Sequence, residues 1–193
     1  MPQPKHIVKV PKLPDPATLD DDIKKYFSKC EEKLGLIPYV LRAYTANPDK
    51  FRAFSRFYNT LMLDEERCKL SKLEREMIAV VVSSANHCYY CLVAHGQAVR
   101  ELSGDPQLGE MMVMNYRVAE LNARQRAMLD FAVKLTLTPH DVGEIDREAL
   151  RRAGFSDQDI FDISDTAAFF NYTNRVAHGV DMMPNPEYHA KNR

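Results

Sequence analysis

After residue 16, apolar positions along this chain recur almost everywhere with a helical period. Leu19, Ile23, Phe27 and Cys30 stand three or four apart, and the pattern ends at Leu34-Gly35, where glycine can supply a left-handed stop. A short helical piece is expected over 38–46. Asn47-Pro48 opens the next helix, with Phe51, Phe54, Phe57, Tyr58, Leu61 and Met62 as its apolar stripe. Ser71-Lys72-Leu73-Glu74 reads as a capping box, and the helix it opens carries Glu76, Ile78, Ala79, Val82 and Ala85. Asn86 is read as the cap of a following helix over 88–102, which Gly104-Asp105-Pro106 ends. Further helices are predicted over 106–115, 122–137, 146–153 and 156–180, with Pro139 and Gly154 as stops. No segment alternates with period two between turn signals, so the predicted class is all-α. Residues 1–16 contain Pro2, Pro4, Pro11, Pro14 and Pro16 and read as an extended arm ahead of a single domain over 17–193.

Composition narrows the partners. The 193 residues are 45% hydrophobic and 27% charged, with a net charge of −1. That is ordinary globular usage with enough chain for one core, and it offers no basic surface for nucleic acid or membrane. The N-terminal stretch lacks the apolar centre of a signal peptide, and the run Ile78–Val82 is far too short to span a bilayer. The expected location is cytoplasmic. Four cysteines do not make a disulfide framework, and a C-x-x-C pair in a reducing compartment points to redox or metal chemistry.

The candidate chemistry sits in one stretch. Cys88 and Cys91 are three apart, His95 follows four later, and Glu76 precedes Cys88 by twelve. On a helix the two thiols and the imidazole share a face. Cys88 falls at a predicted helix start, where the dipole favours thiolate. His95 can manage the Cys91 proton, and an antiparallel helix pair would bring the Glu76 carboxylate to the imidazole. Two inert buried thiols are one alternative. A zinc site drawn from Cys88, Cys91, His95 and either His87 or Glu76 is another, although its ligands would crowd one helix and no second C-x-x-C exists. Leu92 after Cys91 excludes haem attachment. Cys30 and Cys68 read as small hydrophobes or incidental thiols.

A weak internal repeat accompanies this motif. A shift of 83 residues aligns Val93-Ala94-His95-Gly96 with Val176-Ala177-His178-Gly179, Tyr89 with Tyr172, Glu76 with Asp159, and the cysteines with Asn171 and Asn174. Duplication of a helical-hairpin unit would explain it. Asn171, Asn174, Arg175 and His178 are polar on a helix that otherwise buries. They read either as a capping or intersubunit network or as a mirror of the thiol site. Phe169, Phe170 and Tyr172 read as core, with lining of a pocket beside the thiols as the alternative. The sequon at Asn171-Tyr172-Thr173 lies in a predicted core helix and is set aside.

Glu76-x11-Cys88-x2-Cys91-x3-His95 resembles the signature of the alkylhydroperoxidase AhpD-like enzymes, within the carboxymuconolactone decarboxylase superfamily. Residues 46–51, 129–135 and 169–175 resemble its longer "peroxidase-related" branch, and the likeness covers nearly all of the chain from about residue 13. The resemblance implies an all-α AhpD-like fold, a homo-oligomer (trimer or hexamer), and no metal or other cofactor. It implies a hydroperoxide substrate and a dithiol protein reductant, lipoyl- or thioredoxin-like. It gives attack to Cys91, resolution of the disulfide to Cys88, and a proton relay to Glu76 and His95. One position departs: Tyr90 stands where well-known members carry a second histidine, and His87 is displaced to just before Cys88. A lactone enzyme of the same superfamily, with incidental cysteines, and a non-enzymatic redox-sensing or zinc-binding oligomer are the competing readings.

Overall fold

The computed structural model describes residues 3–66 and 68–193; Met1 and Pro2 of the arm lie outside the described residues. The described chain forms helices α1 (Asp21–Leu34), α2 (Tyr39–Tyr44), α3 (Pro48–Tyr58), α4 (Lys72–Ala85) and α5 (Tyr89–Ser103). They are followed by α6 (Pro106–Asn115), α7 (Ala123–Leu137), α8 (Glu144–Arg152) and α9 (Asp157–Gly179), and no strand occurs among the described residues. The all-α expectation holds, and most boundaries fall within two residues of it.

Helix α4 is the centre. Met77 to Val82 are at most 1% exposed, and the helix packs against α5, α6, α7 and α9. A helix apolar on every side must be surrounded in this way. Each such aliphatic side chain contributes about 1.5–3 kcal/mol by leaving water. Its start is the predicted capping box: Ser71 Oγ accepts from Glu74 N–H at 3.1 Å, and Glu74 Oε2 accepts from Ser71 N–H at 2.8 Å. Helix α6 comes unusually close to α5. A Cβ on Gly109 would lie 2.4 Å from Arg100 Cγ and 3.1 Å from the Gly96 carbonyl oxygen, so only glycine admits this approach.

Three local differences from the sequence reading have plain causes. Pro16 opens a short 3-10 turn over 16–18 rather than α1; Leu19 is extended, and α1 begins after Asp20 with Asp21 and Asp22 in its first turn. Helix α3 does not stop at Tyr58 but passes into one π-helical turn, Asn59–Leu63, which carries the last of the apolar stripe. Helix α8 starts at Glu144, because Asp146 Oδ2 accepts from Gly143 N–H at 2.8 Å.

The arm has no helix before its 3-10 turn. It lies beside the chain end, with Lys9 N–H donating to the Val180 carbonyl at 2.9 Å and Met183 N–H to the Ile7 carbonyl at 3.0 Å. The C-terminal segment is tied down by Arg100, which donates to the Tyr188 carbonyl at 2.9 Å, and by Asn185, which bridges the Ile37 carbonyl and Tyr39 N–H. The stretch aligned by the 83-residue shift is one continuous helix, α9, without a counterpart of the turn that separates α4 from α5. Asp159, aligned with Glu76, serves instead in the N-terminal capping box of α9.

Candidate active site

The turn between α4 and α5 sets the site. Cys88 N–H bonds the Ser83 carbonyl at 2.9 Å, and His87 N–H bonds the Ser84 carbonyl at 3.0 Å. These nested bonds form a Schellman ending for α4, with His87 in its left-handed position at φ 53°. Cys88 therefore closes α4 and immediately caps α5. It is the N-cap rather than the first helical residue, and Asn86 is the C-cap of α4 rather than the cap of α5. This reversal folds α5 back along α4 and brings Ser83 under Cys91. Glu76 and Ser83 are seven residues apart, two turns along the same face of α4.

The antiparallel packing brings Glu76 to His95, as expected from the spacing. His95 Nδ1 donates to Glu76 Oε2 at 2.6 Å, and both side chains are mostly buried. That bond leaves Nε2 as the free ring nitrogen. The edge of the imidazole meets Phe170 with centroids 4.7 Å apart and planes at 78°. Among the described residues, His95 hydrogen-bonds Glu76 and neither sulfur.

Cys88 and Cys91 are free thiols, 1% and 3% exposed. They are strongly unequal. Hydrogen bonding from the Cys91 thiol holds the Cys88 pKa down at about 7, helped by the Cys91 backbone N–H and by the positive fields of His178 and His95, against the effect of burial. Cys91 moves the other way: its interaction with Cys88, then burial, pushes it well above the usual thiol range, while Asn174 and Ser83 pull it back. Of the two, Cys88 is therefore the thiol that loses its proton first, while Cys91 holds its own. Cys88, not Cys91, borders a cavity of about 90 Å³, whose wall includes Tyr89, His178, Asp181 and Met182.

Helix α9 joins the site through residues that the sequence left between two readings. Asn174 is fully buried, and its Nδ2 donates to Ser83 Oγ at 3.0 Å. Asn86 Nδ2 donates to both Asn174 and Asn171, and His178 Nε2 donates to the Asn86 carbonyl at 3.0 Å. Asn171, Asn174 and His178 therefore belong to the surroundings of the thiols. Arg175 reaches them only through Asn171. Ser83 and the side chain of Asn86 were missed. The seven-residue spacing of Ser83 from Glu76 was an available signal; nothing local marks Asn86 as reaching α9.

The remaining candidates have other places. Tyr90 is buried and lines the same cavity as Cys88, while its hydroxyl accepts from Val40 N–H at 3.0 Å at the start of α2. His87 is exposed on the turn. Phe169 and Phe170 are core. Tyr172 is 54% exposed, with its hydroxyl 3.3 Å from that of Tyr44, and lines nothing beside the thiols. Cys30 and Cys68 are half-buried, each with its thiol pushed up mainly by burial. Among the described residues no group of three or more His, Cys, Asp or Glu side chains is arranged to hold a metal ion. No helix among them is long and apolar enough to cross a membrane.

Comparison with known proteins agrees with this geometry. The model of the carboxymuconolactone decarboxylase family matches residues 48–108, the span that holds Glu76, both cysteines and His95. The crystal structure of an uncharacterized peroxidase-related protein from Silicibacter sp. TM1040 is 60% identical over 100% of both chains, with a TM-score of 0.94. A peroxidase-related protein from Ralstonia eutropha JMP134, described as an alkylhydroperoxidase AhpD core, is 42% identical over 98% of both chains, with a TM-score of 0.93. The debrominase Bmp8 shares the fold, with a TM-score of 0.77 at 18% identity over 97% of this chain and 96% of its own. No functionally curated protein matches the chain. With a relative this similar aligned end to end, the chain belongs to the AhpD-like, peroxidase-related branch of the carboxymuconolactone decarboxylase superfamily.

Proposed function

We propose that this protein is a thiol-dependent hydroperoxide reductase that cycles Cys88 and Cys91 between dithiol and disulfide. The observation that carries the reading is the arrangement itself: two buried free cysteines at the start of α5, beside a Glu76–His95 dyad bonded at 2.6 Å. Cys88 borders a cavity and its thiol is held below the ordinary range, which favours a reactive pair over inert core cysteines.

Cys91 attacks. Its proton passes to the Cys88 thiolate, exchanging which sulfur carries the charge. The Cys91 thiolate then takes the terminal oxygen of the hydroperoxide: the S–O bond forms, the O–O bond breaks, and the alkoxide leaves with a proton supplied through His95. Glu76 keeps the ring oriented and balances its charge. Cys88 displaces hydroxide from the sulfenic acid as water, forming the disulfide. A dithiol protein, lipoyl- or thioredoxin-like, then exchanges with Cys88, the sulfur that borders the cavity. The cycle requires no metal or other cofactor. Residues 17–193 act as the catalytic domain, with 1–16 as an arm, in a reducing cytoplasmic setting. The exposed side chains of Met114, Ile145 and Phe161 favour burial in a homo-oligomer, trimeric or hexameric.

The test is direct. One equivalent of an alkyl hydroperoxide should remove two thiols per chain and yield a peptide joined through Cys88 and Cys91. Unchanged titres at both positions refute the reading. Full turnover of a lactone by Cys91→Ser would replace it with acid–base chemistry in which the cysteines are incidental.

A further inference from the structure

Asn171, Asn86 and Asn174 form a chain of side-chain amides whose polarity is fixed from one end. Arg175, which can only donate, reaches Asn171 Oδ1 at 2.9 Å, and Asn171 Nδ2 donates to the Ala167 carbonyl, which can only accept, at 3.0 Å. Asn171 can therefore sit only with its oxygen toward Asn86. Asn86 Nδ2 donates to that oxygen at 3.0 Å and to Asn174 Oδ1 at 2.9 Å. This turns the Asn174 amino group the other way, onto Ser83 Oγ at 3.0 Å, and these two side chains are the ones that pull the Cys91 thiol down. Ser83, having accepted from Asn174, has its own proton left for Cys91. Asn174 and Ser83 are both fully buried, so water does not compete for these bonds.

We propose that Asn174 and Ser83 are the donor pair that holds negative charge on Cys91 while it attacks the oxidant. In this arrangement Asn86 and Asn171 are positioning residues that prevent Asn174 from flipping. The inference rests on the reading of Cys91 as the attacking thiol. It supplies what that reading needs, because Cys88 rather than Cys91 is the thiol that ionises first. When the proton crosses from Cys91 to Cys88, the new thiolate meets two oriented donors already in place. The same donors face the sulfenic acid until Cys88 closes the disulfide. Other ionisable groups around Cys91 are Cys88, His95 with Glu76, Tyr90 on α5, and His178 with Asp181 at the end of α9; Cys88 is replaced by serine in every protein of the comparison below, and the others are left unaltered.

The experiment uses the full chain carrying Cys88→Ser and follows alkylation of Cys91 by iodoacetamide against pH, resolved by peptide mass. It needs no peroxide. Ser83→Ala and Asn174→Ala should each raise the Cys91 midpoint by about one unit, roughly tenfold less thiolate at a fixed lower pH, as expected for one charge-assisted hydrogen bond. Asn171→Ala should act in the same direction with a smaller effect, and Ser83→Thr should stay near the parent. Midpoints unmoved in folded Ser83→Ala and Asn174→Ala proteins overturn the proposal; Ser83→Ala decides alone if Asn174→Ala does not fold. The two readings fail separately. Shifted midpoints in a protein whose native form consumes no hydroperoxide leave the donor pair standing and remove the peroxidase. Peroxide consumption with unmoved midpoints does the reverse.

Discussion

Replacing Cys91 by alanine should return the Cys88 thiol most of the way to an ordinary cysteine value. Cys88 stands at about 7 against an ordinary 9.0, a difference worth about 3 kcal/mol. The largest cause is the Cys91 thiol; the Cys91 backbone N–H and the fields of His178 and His95 add to it, and burial opposes it. Alanine keeps the backbone N–H, both histidines and the burial, and removes the leading cause. The midpoint should therefore rise by at least about one unit. Serine keeps a hydroxyl donor at the same place, so Cys91→Ser should remain nearer the parent. Ultraviolet thiolate absorbance reads this cleanly, because Cys30, Cys68 and Cys91 are all displaced above the ordinary range. Stability carries the same signature. A depressed acid stabilises the fold fully above its unfolded value and loses that stabilisation as pH falls through the folded one. The parent should gain resistance to denaturant between about pH 7 and 9, a gain that Cys91→Ala lacks; above that window the raised Cys91 works against it. An alanine variant still titrating at about 7 would sink the polarised-pair account.

Four further outcomes follow from single contacts. Glu76→Gln leaves the packing but removes the charge bonded to His95, and hydroperoxide turnover should fall on the order of 100-fold while Cys88 alkylation persists. Tyr90→Phe removes the acceptor for Val40 N–H and should cost about 1 kcal/mol of stability with turnover kept; loss of turnover in the folded variant would show that the phenol stands in for the family's histidine. His87→Gly relieves a left-handed residue and should raise stability by up to about 1 kcal/mol without changing peroxide-driven thiol loss. Gly109→Ala drives a methyl into Arg100 and the Gly96 carbonyl, and thermal denaturation should register a loss of about 1–3 kcal/mol.

The helices were legible because each carries its own punctuation. Ser71 and Glu74, Asn47 and Pro48, and Gly35 and Gly104 announce starts and stops through bonds made within four residues. Where the reading slipped, the deciding contact was less regular. Leu19 is buried at a helical interval from Ile23, yet it belongs to an extended step between a 3-10 turn and α1. Periodicity cannot separate a helix from a turn that happens to keep the same phase. His87 in the left-handed position gave no warning either, since that place usually goes to glycine or asparagine.

The site divides along the same line. Glu76, Cys88, Cys91 and His95 could be brought together from sequence because all four lie on one helical hairpin, and helix geometry fixes their relative heights. That Cys88 is the lower of the two thiols was legible too, but its cause was not. Helix position predicted a low value for Cys88, but the larger cause is the partner thiol, and the groups that oppose it on Cys91 come from elsewhere. Ser83 is displayed by α4 and Asn174 by α9, 91 positions apart. The repeat pointed to α9, yet for the wrong reason: Asn171 and Asn174 take the places of the cysteines in the alignment, but in space Asn174 acts on Cys91 and Asn171 is linked to it through Asn86. A polar residue in a buried helix asks for a partner. Here the unexplained asparagines of α9 and the unequal thiols of α5 are each other's explanation, because an amide network anchored at Arg175 can end only in donors, and a sulfur that must carry charge is what those donors fit.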